Sequence, residues 1–97
     1  MNAASARPKV IVTGRLPEDV EREVCSRFDA QLNIDDRPFT ARELQQALQS
    51  ADALLTTVAD RITAEVLEVE GRRANIIANY GVGYNHIDVA AAKRLGI

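Results

Sequence analysis

The sequence predicts a doubly wound α/β fold, in which four β-α units share one parallel sheet. Short apolar runs rich in β-branched residues, such as Lys9–Thr13 (KVIVT), alternate with stretches of helical periodicity. The helical stretches open on capping patterns, most completely at Thr40-x-x-Glu43. Helical crossovers between successive strands make neighbouring strands parallel, with right-handed connections.

The elements follow in order. Lys9–Thr13 is almost uninterrupted in its apolar character, as expected of a strand covered on both faces. Pro17 suits the first turn of a helix, and Glu18, Asp19 and Glu21 place negative charge near its positive end. Val20, Val24 and Phe28 recur every fourth residue as an inward stripe, and Cys25 beside Val24 is expected to be a small buried apolar residue. Ala30–Ile34 reads as a weaker second strand, ended by Asp35, Asp36 and Pro38. The capping box of Thr40 and Glu43 opens a helix with Leu44, Ala47 and Leu48 inward. Ala53–Val58 (ALLTTV) is a third strand. Thr63 caps a short helix carrying Val66 and Leu67, stopped by Gly71. Ala74–Ala78 (ANIIA) is a fourth strand. Beyond a glycine-rich turn, Asp88 caps a last helix, Val89–Leu95, stopped by Gly96. A flavodoxin-like strand order is the simplest arrangement of these units. Ile97 stands where a fifth strand is expected to begin, so the pattern reads as one truncated before that strand.

Ninety-seven residues suffice for one core and not for two. Met1–Pro8 (MNAASARP) reads as a flexible tail without the features of a signal peptide, leaving residues 9–97 as the folded unit. A formal charge of -2 and scattered arginines leave no footprint for nucleic acid. No apolar run approaches the roughly 20 residues of a membrane span. The lone Cys25 rules out an internal disulfide, and together these features favour a cytoplasmic protein.

The stretch that carries chemistry is Asn79–Asp88, NYGVGYNHID. It follows a strand and precedes a helix, at the carboxyl edge of the sheet where open α/β folds collect ligands. Gly81 and Gly83 either permit only a tight turn or let a ligand approach the backbone. In the second reading the amides of Val82 and Gly83 bind one anion without a charged side chain. A dinucleotide fingerprint is rejected here, since His86 occupies the third glycine place of G-x-G-x-x-G, such a fingerprint usually follows the first strand of its unit, and the place of the ribose-binding acid about 20 residues on falls beyond Ile97. His86 is expected to face solvent or to be locally hydrogen-bonded. Asp35-Asp36 lacks further metal ligands at a suggestive spacing, and Asp60-Arg61 reads as a surface pair. Tyr80 is assigned to packing, while Tyr84 is left between packing and a pocket wall. Thr13-Gly14-Arg15 stands where a response-regulator receiver would need acidic residues, which argues against that use of the fold.

ANIIANYGVGYNHIDVAAAKRLGI resembles the segment that closes the first part of the substrate domain in D-2-hydroxyacid dehydrogenases. VTGRLPEDVE and ADALLTTVADRI are similar to that family's first strand and helix and its third strand and loop. The resemblance is nearest to glyoxylate and hydroxypyruvate reductases. It implies that residues 9–97 form part of a substrate-binding domain. The carboxylate of a small 2-keto or 2-hydroxy acid would meet the main-chain amides of Val82 and Gly83, with Thr57 lining the site. It also implies an NAD(P)H-dependent parent enzyme, commonly a homodimer. Its cofactor domain, orienting arginine and histidine–glutamate acid/base pair would lie outside this chain, leaving it without catalytic, cofactor-binding or metal-binding residues and inactive alone. The alternative is a non-enzymatic domain of the same fold that binds a small anion or a protein.

Overall fold

The computed structural model describes residues 7–97, so Met1–Ala6 of the expected tail lie outside the described residues. Four parallel strands form one sheet: β1 (Lys9–Val12), β2 (Asp29–Gln31), β3 (Ala53–Thr57) and β4 (Ile76–Tyr80), in the order β2-β1-β3-β4. That is the expected flavodoxin-like arrangement. The helices are α1 (Glu18–Arg27), α2 (Ala41–Ser50), α3 (Ala64–Leu67) and α4 (Val89–Arg94).

Each boundary has a local cause. Thr40 and Glu43 close the capping box at α2: the Thr40 hydroxyl accepts from Glu43 N–H, and Glu43 accepts from Thr40 N–H. Thr63 and Asp88 cap α3 and α4 by accepting from Val66 N–H and Ala91 N–H. β4 begins two residues later than the apolar run suggests. The amides of Arg73 and Ala74 are taken by the Leu48 carbonyl, which holds that stretch to the end of α2. The strand then continues through Asn79 and Tyr80, which pair with Thr56 and Thr57. β2 ends at Gln31, short of the expected Ile34, and beyond it the Asn33 side chain donates to the carbonyls of Thr13 and Arg37.

Two apolar layers sandwich the sheet. On one side Ile11, Leu54 and Ile77 pack with Leu44, Leu48, Val66, Leu67 and Ala91 from α2, α3 and α4. On the other, Val10, Val12 and Leu55 meet Val20 and Val24 of α1 and Phe28, which caps its end. Only α1 covers this second side among the described residues. An apolar groove of about 620 Å³ remains beside it, lined in part by Val10, Val24, Phe28, Leu55, Ile76 and Ala78.

Several expectations need correction. Cys25 is exposed: one residue past Val24 is about 100° around the helix, off the stripe of Val20, Val24 and Phe28. Arg7 and Pro8, assigned to the tail, are tied down. The Arg7 guanidinium donates to the carbonyls of Cys25 and Phe28, and the Pro8 carbonyl accepts from Asp29 N–H. Tyr80 is 48% exposed rather than packed, because it lies with Ile76 on the side of β4 that α1 does not reach. The last helix, by contrast, stops at Gly96 as expected. Gly96 at φ +79 lets Ile97 N–H reach the Ala92 carbonyl and its own N–H reach Lys93, a Schellman closure of α4 that seats Ile97 against the core.

Candidate functional site

The carboxyl ends of β3 and β4 and the loops that follow them make the candidate site. Thr57 and Tyr80 are partners at the last rung of the β3–β4 ladder, so Thr57 and the Gly81–Gly83 turn leave the sheet at the same edge. Val82 is fully exposed and Gly83 is also at the surface. Neither amide is used in a hydrogen bond among the described residues. Neither glycine has a left-handed backbone, and space demands a glycine only at Gly81. A Cβ on Gly81 would stand 2.9 Å from Val58 Cγ1, whereas one on Gly83 would meet nothing within 4 Å. The turn thus presents two free donors, with open space on the Cβ side of the second.

Thr57 is held from both sides. Its methyl and hydroxyl lie where a Cβ on Gly14 would be, at 3.0 and 3.1 Å, so a glycine after β1 makes room for it. Its N–H donates to Asp60 Oδ2 at 3.0 Å, and the same oxygen accepts from the hydroxyl of Thr13. Asp60 is 2% exposed, which overturns its reading as part of a surface pair. The loop folds it inward because Thr13 and Thr57 offer donors at the ends of two adjacent strands, which satisfies a carboxylate that burial would otherwise penalise. Arg61 alone stays outside.

Asn79 and His86 form the other support. Asn79 Nδ2 donates to the Gly83 carbonyl at 2.9 Å, which orients the amide and leaves Oδ1 as an acceptor. Oδ1 receives the Thr56 hydroxyl at 3.0 Å and faces His86 Nε2 at 2.9 Å, so His86 carries its proton on Nε2. His86 is half-buried and locally hydrogen-bonded. Asn79 was missed as a site residue, although its place between strand and glycine turn was a usable signal.

Beside these groups lies an open cleft of about 670 Å³ between the loops after β3 and β4. Val58, Arg61, Thr63, Asn85, His86 and Asp88 are among its walls. Thr57, Val82 and Gly83 are not. The structure brings the three expected residues to one edge of the sheet, beside this cleft rather than on its walls.

Charge around the strand ends is organised by ion pairs. Glu21, 6% exposed, takes two bonds from the Arg15 guanidinium and one from Leu16 N–H, and these donors hold its carboxyl below the usual range. Glu43 is pulled down to about 2, first by Arg37 and then by Thr40 N–H. Asp36 accepts from Arg15 N–H. Among the described residues no three His, Cys, Asp or Glu side chains gather as a metal site. Nor is any helix there long and apolar enough to cross a membrane. The turn does not fit a dinucleotide: His86 fills the third glycine place with its ring bonded to Asn79, where a fingerprint needs close backbone packing.

The family of D-isomer-specific 2-hydroxyacid dehydrogenases matches residues 10–97 through its catalytic domain. Glyoxylate reductase of Pyrococcus furiosus is 36% identical over 91 residues, covering 94% of this chain and 27% of the relative. Glycerate dehydrogenase of Hyphomicrobium methylovorum is 30% identical over 92 residues, covering 95% and 29%. A solved structure, described as a putative NAD-binding D-isomer-specific 2-hydroxyacid dehydrogenase from Polaromonas, superposes with a TM-score of 0.86 at 35% identity, covering 94% of this chain and 28% of that one. The chain therefore spans little more than a quarter of the length of the curated relatives it matches. It belongs to the D-isomer-specific 2-hydroxyacid dehydrogenase family, within the catalytic domain.

Proposed function

We propose that this chain is the carboxylate-binding part of an NAD(P)H-dependent reductase of glyoxylate or hydroxypyruvate. The observation that carries the reading is the pair of unbonded, exposed amides at Val82 and Gly83 at the carboxyl edge of a parallel sheet. Two N–H groups aimed at one carboxylate make charge-assisted bonds, about twice as strong as neutral ones. They orient a small 2-keto acid by its carboxylate end. Thr57 lines the edge beside them, with its own N–H engaged by Asp60.

The family membership and the glyoxylate reductase relatives support the substrate class. The hydride would come from NAD(P)H bound by another domain of a longer protein, which this chain's own residues do not hold. We assign that protein to the cytoplasm, as a homodimer. Titrating the ¹⁵N-labelled chain with glyoxylate and with hydroxypyruvate, against neutral acetamide, tests the carboxylate site. The Val82 and Gly83 amide signals should move first and saturate with both acids only. Equal response to acetamide, or movement elsewhere with these two silent, would reject the reading.

A further inference from the structure

We propose that Asn79 is the positioning residue of the anion site, clamping the Gly83 carbonyl so that the Val82 and Gly83 amides stay presented to one carboxylate. This rests on the anion reading of the turn. Residues 81–85 are all exposed, and two of them are glycines, which lose more conformational freedom on ordering than any other residue. The later part of the loop is held by backbone bonds: Ile87 N–H to the Tyr84 carbonyl and Ile62 N–H to the His86 carbonyl. Among the described residues, the Gly81–Gly83 stretch is tied back to the sheet by Asn79 Nδ2 on the Gly83 carbonyl at 2.9 Å.

A free asparagine could turn its amide over and set oxygen against oxygen. Here two donors hold it. Thr56, fully buried in β3, gives its hydroxyl to Oδ1 at 3.0 Å, and His86 Nε2 lies 2.9 Å away on the same atom. Asn79 thereby links a buried strand residue to the exposed turn. His86 serves as the outer lock rather than as an acid or base. Preorganised donors need no ordering when the anion arrives, so releasing the clamp weakens binding without removing any donor.

The test uses the ¹⁵N-labelled chain with oxamate, an unreactive 2-oxo carboxylate, as probe. Variants are Asn79→Leu, which loses all three bonds, and His86→Gln, which keeps a donor for Oδ1. Asn79→Leu should increase fast motion of the Gly83 and Tyr84 amides and weaken the oxamate response about tenfold, equivalent to about 1.4 kcal/mol. His86→Gln should behave like the wild type. The imidazole nitrogen shifts of the wild type should report the Nε2–H tautomer, a readout that a purely structural role of Asn79 would not require. Should Asn79→Leu fail to fold, Asn79→Asp keeps the acceptor but not the donor, and its turn mobility alone decides. A wild-type response that Asn79→Leu reproduces, with an equally rigid turn, overturns the role of Asn79 and leaves the anion site standing. Wild-type amides indifferent to oxamate overturn both.

Discussion

A Cβ placed on Gly81 would stand 2.9 Å from Cγ1 of Val58, so the turn after β4 and the end of β3 touch through a missing side chain. Val58 is 63% exposed and can turn aside, at a rotamer cost of about 0.5–1.5 kcal/mol. Gly81→Ala is therefore expected to destabilise the chain by about 1 kcal/mol, and the loss should vanish in a Val58→Ala background. Gly83→Ala should be neutral or slightly stabilising, because nothing meets its Cβ. Urea unfolding of the four variants checks this. A Gly83→Ala penalty as large as that of Gly81→Ala would show that space is not what separates the two glycines.

In the proposed full-length reductase, Gly83→Val should raise KM and lower kcat/KM for glyoxylate about ten- to a hundredfold, because its side chain obstructs about 1.5–3 kcal/mol of charge-assisted bonding. The open surroundings of Gly83 make misfolding a poor explanation of such a loss. Thr57→Ala should cost less, since it trims a wall and puts no side chain in the way of the carboxylate. Steady-state kinetics on a folded variant decides, and wild-type values would take Gly83 out of the site.

Asp60→Ala should be among the most damaging single changes. It removes the acceptor of the part-buried Thr57 N–H and leaves the Thr13 hydroxyl only the Leu55 carbonyl at 3.5 Å, and each lost bond to the carboxylate is worth about 1.5–3 kcal/mol. Asp60→Asn retains one acceptor oxygen and should lose less. Equal urea midpoints for Asp60→Ala and wild type would contradict the network.

Acid should unfold the chain through its paired carboxylates. Glu43 titrates near 2 when folded against an ordinary 4.5, and Glu21 and Asp52 are displaced the same way, Asp52 chiefly by Lys9 N–H and then by Arg73. The unfolded chain therefore binds protons at higher pH than the folded one. Stability from Glu43 is fully present above about 4.5 and is lost as pH falls toward 2. The urea midpoint of Glu43→Gln should fall less steeply across that window. Parallel profiles for wild type and variant would remove Glu43 from the acid response.

β4 pairs only with β3 among the described residues, and it exposes Ile76 and Tyr80 beside the apolar groove. An open strand edge with apolar neighbours favours association. The 97-residue chain should sediment as a concentration-dependent mixture, and Ile76→Lys should shift it toward monomer. A wild type that stays monomeric at millimolar concentration would speak against this edge as a contact surface.

The order of strands and helices followed from sequence alone, because each local signal is short-ranged. The Thr40–Glu43 capping box, the Val20–Val24–Phe28 stripe and the β-branched run at Lys9 act within a few residues of themselves. The Gly81–Gly83 turn was legible for the same reason, as was its place at the carboxyl edge. What tertiary structure decided were contacts between residues far apart in the chain. Asp60 became buried because Thr13 arrives from β1, and Gly14 became necessary because Thr57 arrives from β3. β4 started late because the Leu48 carbonyl captured the amides of Arg73 and Ala74. Asn79 became the clamp only when Thr56, Gly83 and His86 met around one amide. No periodicity marks such meetings, since each hydrogen-bonding partner is chosen by the packed sheet and not by its neighbours in sequence.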